Sequence, residues 1–354
     1  MKTEQLPLHL YSGKYGRCHV QGIATDGEFF YLSFTTMLLK TDLAGNAVGS
    51  VTGLTGHLGC IALAPDGSVI GSLEYKNDEI GQGILKTIGQ ERRQDDAFYA
   101  VRFDPERIDR MNMDALTTGV MTRARLTDVC EDYAAIVEEN GAAVPHRYGC
   151  SGIDGITCLP EADGTTSVLV AYGIYGDTNR QDNDCQVLVQ YRWERLLAAM
   201  SAQTELRCDD RIFVRTGNTT YGIQNLEYDP YTELLLAAVY PGRKPSFPNY
   251  ELFWIDPKKR SRTPDGQTCF GLSDQTIIAK DGLTVDAFLE REPSGEITGC
   301  RFPLGSTGII ALGDGTYYFS EDGREGDGAD QCYTHIRRFR LTKSGFQCLT
   351  DRAN

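Results

Sequence analysis

The hydrophobic and polar positions along the chain repeat a short pattern that is typical of β-hairpins. Residues 19–46 show it first, as an apolar strand, a turn at Asp26-Gly27, a second strand through Ser33 and a third strand that ends near Asp42. Small, β-branched and aromatic residues that are interrupted by Asp-Gly or Ala-Gly-Asn predict strands joined by tight turns rather than helices.

This pattern recurs four more times. Each unit has an apolar anchor in its first strand, an acidic turn, a second strand with a small residue in register, and then a third and a less regular fourth strand. The anchors are Ile23, Ile61, Ile156, Leu226 and Ile310, and the small residues are Ser33, Ser72, Ala171, Ala238 and Ser320. Repeats of this kind predict the blades of a β-propeller. We therefore predict an all-β fold, a single domain over residues 1–354, with five blades or, as the alternative, six.

Segments outside the repeats predict how the ring closes and where helices interrupt it. The N-terminal sequence LPLHLY predicts an outer strand for the last blade, which closes the ring without a free edge. Asp128 to Glu131 resembles a capping box and predicts a helical insertion near 127–141. An apolar stripe of Trp193, Leu196 and Met200 predicts a second helical insertion near 192–204.

The composition limits where the protein is expected to be located and what it is expected to bind. The 354 residues are 41% hydrophobic, which supports a full core, but no run approaches the ~18 apolar residues of a membrane span. The N-terminus lacks the apolar core of a signal peptide, so we expect a cytoplasmic protein, or a secreted one if a signal peptide has been removed. A net charge of −14 opposes binding to nucleic acid and to anionic membranes. The eleven cysteines include no C-x-x-C pair and predict buried or free thiols.

The residues just before the anchors are candidates for a site, because the first strands of propeller blades line the central channel. Four residues before an anchor stand His19 and His57; two residues before stand Gln21, Asp154 and Gln224. The alternation of strand side chains places both columns on one side. We predict a divalent metal ion held by His19, His57 and Asp154, with Gln21 and Gln224 contacting a substrate. The alternative is a polar plug in which these groups bond one another and water.

Loops on the same face add further candidates. Asp154 with Glu74 or Asp322 forms the kind of carboxylate pair that supplies a general acid and a general base in hydrolysis. Arginine offers a planar fork for carboxylate or phosphate, and tyrosine stacks on sugar rings. The substrate-binding candidates near these loops are Tyr172, Arg180, Tyr240, Arg243 and Arg324.

The recurring strand–Asp-Gly–strand units resemble the β-propeller superfamily over nearly the whole chain, and no motif selects one family. Five-bladed enzymes of this shape include arabinanase-like glycosidases, calcium-activated nucleotidases and plant-type glutamine cyclotransferases. Gln21-Gly22-Ile23 is similar to the Q-G-[LI] opening of the cyclotransferases. We therefore predict a small-molecule enzyme, a hydrolase or lyase that acts with or without a metal ion on a carbohydrate or phosphorylated substrate at the channel mouth. The alternative is a non-catalytic propeller that binds a glycan or a protein partner on that face.

Overall fold

The structure is a computed structural model that describes residues 5–16, 19–90, 95–139, 141–273, 276–286, 288–291, 298–326 and 331–350. Strands dominate these ranges, and the α-helices among them are α1 (Glu79–Thr87), α2 (Thr127–Ala134) and α3 (Trp193–Ala202). None of these helices has the length and apolar character needed to cross a membrane.

The β-strands of the described residues run through the chain from the N-terminus to residue 348. In chain order they are β1 (His9–Tyr11), β2 (Tyr15–Gly16), β3 (Val20–Thr25), β4 (Phe29–Phe34), β5 (Met37–Asp42), β6 (Ala47–Thr52), β7 (His57–Leu63), β8 (Val69–Tyr75), β9 (Ala97–Phe103), β10 (Met113–Asp114), β11 (Met121–Leu126), β12 (Ile136–Glu139), β13 (Ala142–Pro145), β14 (Cys150–Pro160), β15 (Thr166–Ile174), β16 (Cys185–Arg192), β17 (Glu205–Leu206), β18 (Asp210–Arg215), β19 (Thr220–Asp229), β20 (Leu234–Tyr240), β21 (Leu252–Arg262), β22 (Thr268–Leu272), β23 (Ile277–Ile278), β24 (Thr284–Val285), β25 (Glu290–Arg291), β26 (Thr298–Cys300), β27 (Ile309–Ala311), β28 (Thr316–Glu325), β29 (Gln331–Thr342) and β30 (Gly345–Cys348).

These strands build successive antiparallel blades. The units are β3-β4-β5-β6, β7-β8-β9-β11, β14-β15-β16-β18, β19-β20-β21-β22 and β27-β28-β29 with β1 as its outer strand. The inner strands contact one another in the cyclic order β3, β7, β14, β19, β27 and back to β3. A parallel pairing of β18 with β22 additionally joins two neighbouring blades. The predicted all-β propeller class is therefore confirmed, and the described residues supply five inner strands around one channel.

The N-terminal segment closes the ring as predicted. Strand β1 pairs antiparallel with β29, so that His9 lies opposite Arg337 and Tyr11 opposite His335. Because β29 belongs to the last blade, strands from both ends of the chain share one sheet, and β1 pairs with the outer side of β29.

The hydrophobic core lies between neighbouring blades. All five anchors are buried, and apolar side chains from the facing sheets form one cluster between each pair of blades. Phe30 of the first blade and Tyr318 of the last blade, for example, meet edge to face with ring centroids 5.2 Å apart. Burial of this apolar area contributes roughly 25 cal/mol per Å² to folding, and it fixes the inner strands around the channel.

Two of the predicted helical regions can be compared with the structure. Helix α3 confirms the insertion predicted near 192–204. The insertion predicted near 127–141 is half wrong, because the helix ends at Ala134 and residues 136–145 form the β12–β13 hairpin. The β-branched Ile136 and Val137 favour a strand there. The predicted capping box is also wrong, since Asp128 accepts a hydrogen bond from the backbone N–H of Cys208 at 2.8 Å.

A third helix was not predicted. Residues 74–79 read as a loop in the sequence, but Glu74 lies in β8 and α1 begins at Glu79. Asp78 caps α1 by accepting a hydrogen bond from the N–H of Gly81 at 2.8 Å. Helix α1 therefore begins a few residues after Glu74, which lies at the channel mouth.

Small residues of the second strands connect neighbouring blades. The hydroxyl of Ser33 donates to the carbonyl of Gly59 at 2.7 Å, and the hydroxyl of Ser72 donates to the carbonyl of Asp154 at 2.5 Å. Each bond crosses from one blade to the inner strand of the next. The repeat position predicted from sequence thus holds the inner strands in register with one another.

Candidate functional site

A cavity of ≈ 290 Å³ occupies one mouth of the channel. The N-terminal halves of the inner strands and the loops beside them supply its wall. The lining residues are His19, Gln21, His57, Glu74, Lys76, Ile80, Ser151, Ile153, Asp154, Gly173, Tyr221, Gln224 and Tyr240. Seven residues predicted from sequence therefore share one cavity, namely His19, Gln21, His57, Glu74, Asp154, Gln224 and Tyr240.

A recurrent irregularity in the inner strands directs these side chains. The pairing register shifts just before the anchor in four blades, between Val20 and Gly22 in β3 and at the equivalent places in β7, β14 and β19. A bulge of this kind turns a strand and re-aims a side chain. Gln21, Asp154 and Gln224 all lie at or next to these shifts.

Glu74 and Lys76 form a buried ion pair on the cavity wall. The ammonium of Lys76 is 2.7 Å from Oε1 of Glu74 and also donates to the carbonyl of Ser151 at 2.8 Å. Oε2 of Glu74 accepts the backbone N–H of Ile153 at 2.9 Å. Burial alone lowers the pKa of Lys76, but Glu74 and Asp78 outweigh it and raise that pKa. Lys76 therefore stays protonated and holds the carboxylate of Glu74 in place.

Gly152 makes this arrangement sterically possible. Its φ is +134°, and a Cβ at this position would lie 1.9 Å from Oε2 of Glu74. Only glycine combines this backbone angle with such a close approach. The local sequence Ser151-Gly152-Ile153 thus presents a backbone N–H to the carboxylate without displacing it.

His57 lies directly opposite Glu74 across the β7–β8 pair. Its Nδ1 is 3.6 Å from Oε1 of Glu74, and this buried nitrogen has no hydrogen-bond partner among the described residues. Burial and the positive charge of Lys76 lower the pKa of His57 to about 3. The imidazole is therefore neutral at physiological pH.

Asp154 is the second carboxyl group of the cavity. Its Oδ1 accepts the backbone N–H of Cys60 at 3.2 Å. Burial, and then the negative charge of Glu74, raise the pKa of Asp154 well above its usual range. Burial also raises the pKa of Glu74, although Lys76 and the N–H of Ile153 oppose that shift.

Amide and imidazole groups complete one side of the wall. Nε2 of Gln21 donates to Nε2 of His19 at 2.9 Å and to the hydroxyl of Thr35 at 3.2 Å. Nδ1 of His19 contacts the carbonyl of Val20 at 3.0 Å and lies 3.5 Å from Oδ2 of Asp322. Asp322 thus reaches the cavity only through His19, and burial raises its pKa although His19 opposes that shift.

Two predicted substrate contacts lie elsewhere. Tyr172 is fully buried between blades, where its hydroxyl donates to Asp132 at 2.7 Å. Arg180 is also buried and donates to Asp182 and to the carbonyls of Pro145 and His146. Both predictions place these side chains wrongly, because their polar atoms are used within the protein.

Arg243 and Arg324 do not line the cavity either. Both side chains are exposed on the surface. Arg243 follows β20 and Arg324 lies near the end of β28, but the cavity wall includes neither of them. The structure therefore does not support the prediction that these arginines contact a substrate in the cavity.

Several residues of the wall were missed from the sequence. Lys76 is two positions after Glu74, and strand alternation could have placed both on one side. Ser151 and Ile153 contribute through their backbone, and Tyr221, which has a φ of +66°, projects with 45% of its surface exposed. No residue pattern indicates such backbone contributions.

The predicted metal site is not assembled. Over the described ranges, no three His, Cys, Asp or Glu side chains form a group that could hold a metal ion. His19, His57 and Asp154 share the cavity, but His19 contacts Val20 and Gln21 while Asp154 accepts the N–H of Cys60. The Lys76 ammonium already balances the charge of Glu74. This geometry corrects the prediction of a divalent metal held by these three residues.

Comparisons with known proteins add similar structures but no family. No protein family matches this chain, and no curated protein matches it either. A thermostable family-43 glycoside hydrolase is similar at 7% identity, over 98% of this chain and 94% of that chain, with a TM-score of 0.42. The Dos1 propeller is similar at 10% identity, over 90% and 78%, with a TM-score of 0.36. The soluble aldose sugar dehydrogenase from Escherichia coli is similar at 12% identity, over 92% and 99%, with a TM-score of 0.37.

Proposed function

We propose that this protein is an enzyme that hydrolyses a glycosidic bond of a neutral carbohydrate in the cavity at the channel mouth. The observation that carries the proposal is a pair of buried carboxyl groups in different surroundings on one cavity wall: Asp154, which accepts a backbone N–H, and Glu74, which pairs with the Lys76 ammonium. Burial raises the pKa of both groups, but Lys76 and the N–H of Ile153 oppose that shift at Glu74. Two carboxyl groups in unlike surroundings suit the acid–base hydrolysis of a glycoside.

Asp154 takes the role of general acid. Its raised pKa favours the protonated carboxyl group, which can protonate the leaving oxygen of the glycosidic bond. The N–H of Cys60 fixes one carboxyl oxygen and leaves the other for the substrate.

Glu74 takes the role of general base for the attacking water. The Lys76 ammonium and the N–H of Ile153 stabilise its negative charge and orient both oxygens. The neutral imidazole of His57, with an unpartnered Nδ1 beside Glu74, supplies a further hydrogen-bonding group for water or a sugar hydroxyl.

The charge and shape of the wall favour a neutral sugar over a phosphorylated substrate. The positive charge of Lys76 is offset by Glu74, and no other Lys or Arg side chain of the described residues lines the cavity. A phosphate would therefore lie near carboxyl groups without a free cation. Tyr221 and Tyr240 offer ring faces, and Gln21 and Gln224 offer amides, which suits hydroxyl-rich rings.

The test is a screen of neutral α- and β-linked oligosaccharides, with the release of new reducing ends as the readout. We expect turnover of at least one of them, and a loss of about 10²–10⁴-fold in kcat for Asp154→Asn and for Glu74→Gln. The exposed Asp265→Asn variant is the matched control and should keep full activity.

The second candidate is a glycan-binding propeller without catalysis, which the exposed ring of Tyr221 at the cavity favours. Binding of an oligosaccharide that is lost in Tyr221→Ala, together with no turnover of any sugar, would favour this candidate. If no oligosaccharide of the panel were bound or hydrolysed, both candidate functions would be overturned.

A further inference from the structure

A second cavity lies at the opposite mouth of the channel. Its volume is ≈ 350 Å³, and the C-terminal halves of all five inner strands form its wall. Much of this wall is apolar, with Leu63, Ala311 and Tyr228 as partly exposed side chains above the buried anchors. The site proposed above shares none of these residues.

One carboxyl group, that of Glu227, lies on this apolar wall. Its Oε1 accepts the backbone N–H of Ala311 at 2.9 Å, which connects neighbouring inner strands. No Lys, Arg or His side chain of the described residues lines the cavity, so the carboxyl group has no cation beside it there. Burial raises the pKa of Glu227 to about 8.

A second carboxylate stands at the rim of the same cavity. Asp26 is exposed and is held in place by the N–H groups of Glu28 and Phe29, at 2.8 and 2.7 Å, and by the hydroxyl of Tyr31 at 2.6 Å. The whole protein carries a net charge of −14. The field at this mouth therefore attracts cations and repels anions.

We propose that this second cavity binds a small aliphatic primary ammonium ion, with the ammonium group at Glu227 and the alkyl chain against Leu63, Ile310 and Ala311. A carboxylate or a phosphate would bring negative charge to a wall that has no positive group. A neutral hydrocarbon would leave the Glu227 carboxyl group without a charged partner. Over the described residues, no group of three His, Cys, Asp or Glu side chains could hold a metal ion here. An alkylammonium ion matches both the charge and the apolar wall.

Binding of the ammonium ion is coupled to the ionisation of Glu227. A cation beside a carboxyl group favours its charged form, so the proton leaves Glu227 when the ligand binds at pH 7. The other titratable groups around Glu227 are negatively charged or neutral at neutral pH. None of them carries a positive charge that it could lose when a cation binds. These groups are Asp26, Cys60, Cys158, Tyr228 and Asp229.

The first test is titration calorimetry of the full-length protein with n-butylammonium at pH 7, in buffers of different ionisation enthalpy. We expect saturable binding with the release of nearly one proton per ligand, and no binding of n-butanol, its neutral counterpart. Affinity should rise about fourfold for each added methylene group up to the size of the cavity. Binding without proton release would place the ammonium ion elsewhere and overturn the assignment to Glu227.

Variants separate this site from the rest of the molecule. Glu227→Gln keeps an acceptor for the Ala311 N–H but removes the charge, and it should weaken n-butylammonium binding at least tenfold. Ala62→Leu places a larger side chain on the wall and should weaken binding without changing any charge. Asp154→Asn, at the other mouth, should bind as the wild type does. Equal affinity of wild type and Glu227→Gln, or no binding to the wild type at all, would overturn the proposal.

Discussion

His57 and Glu74 face each other across strands β7 and β8, with Nδ1 of the imidazole 3.6 Å from Oε1 of the carboxylate. At such a distance a carboxylate ordinarily favours a protonated histidine. Here Lys76 neutralises Glu74 at 2.7 Å, and burial disfavours the imidazolium, so the pKa of His57 falls to about 3. The cavity therefore combines a neutral imidazole, a carboxyl group that pairs with an ammonium, and Asp154, a carboxyl group whose pKa burial raises well above its usual range.

The neutrality of His57 can be tested by NMR titration of the histidine rings. We expect one of the five imidazoles to keep its chemical shifts from pH 8 down to pH 5, and this signal to be missing in His57→Gln. An ordinary histidine titrates near pH 6.5. If every ring signal titrated near that value, the charge assignment of the cavity would be contradicted.

The Glu74–Lys76 pair predicts a large stability effect. Glu74→Gln leaves the ammonium of Lys76 buried beside a neutral amide, which should lower the free energy of unfolding by about 3–5 kcal/mol. Urea denaturation measures the change, and Glu74→Gln combined with Lys76→Met should recover part of the loss. Glu205→Gln, which breaks an exposed pair with Arg125, is the control and should change little.

The hydrogen bonds of Asn225 allow a test of how strongly the blades are held together at the channel axis. Its side-chain N–H₂ donates to the carbonyl of Gln21 at 2.8 Å and to that of Ser306 at 2.9 Å, and so connects three blades. Asn225→Ala leaves these two carbonyls without their donor and should cost about 2–4 kcal/mol in thermal or urea unfolding. Asn46→Ala, at an exposed turn, should cost clearly less; equal costs would contradict a bracing role at the axis.

Crowding around Asp154 can be tested with a single methyl group. A Cβ on Gly59 would lie 2.3 Å from Oδ1 of Asp154 and 2.6 Å from the hydroxyl of Ser72. Gly59→Ala should therefore destabilise the protein by about 1–3 kcal/mol and displace the Asp154 carboxyl group. Gly83→Ala, in the exposed face of α1 with open space around it, should stabilise by about 0.5–1 kcal/mol. Equal stability of the Gly59 variant and the wild type would contradict the packing described for the channel.

Much of this fold was predictable because each blade repeats the same sequence pattern of an apolar anchor, an acidic turn and a small residue. The anchors Ile23 and Ile310 are buried in inner strands, and LPLHLY pairs with the last blade, as the alternation and turn residues indicated. The residues two positions before the anchors also lie close together, since Gln21 and Asp154 line one cavity. Period-two alternation and repeat position carry this information directly.

The errors have a common physical cause, which is tertiary context. Tyr172 and Arg180 are residue types that bind ligands, but Asp132 and the carbonyls near residue 145 use their polar atoms. The helix predicted near 127–141 ended early because a hairpin forms after Ala134, and Asp128 bonds Cys208 instead of capping. Lys76 was missed because its role depends on a neighbouring carboxylate and on burial, which no local pattern shows.

The charge state of Asp154 also sets how stability depends on pH. A carboxyl group whose pKa is raised on folding binds its proton more tightly in the native state, so its contribution is complete below the unfolded pKa of ~3.9 and is lost as pH rises towards the native value. The wild type should therefore lose stability relative to Asp154→Asn as pH increases above 4. A constant difference between the two proteins from pH 4 to pH 8 would contradict a raised pKa.

The most direct test of the account is the titration of the Asp154 carboxyl group itself, by ¹³C NMR of aspartate-labelled protein beside Asp154→Asn. The account predicts one aspartate carbon that stays protonated well above the usual range near 3.9 and that is absent in the variant. If the signal assigned to Asp154 titrated at its ordinary value, the cavity would lack its general acid. The proposed hydrolysis by Asp154 and Glu74 would then be contradicted.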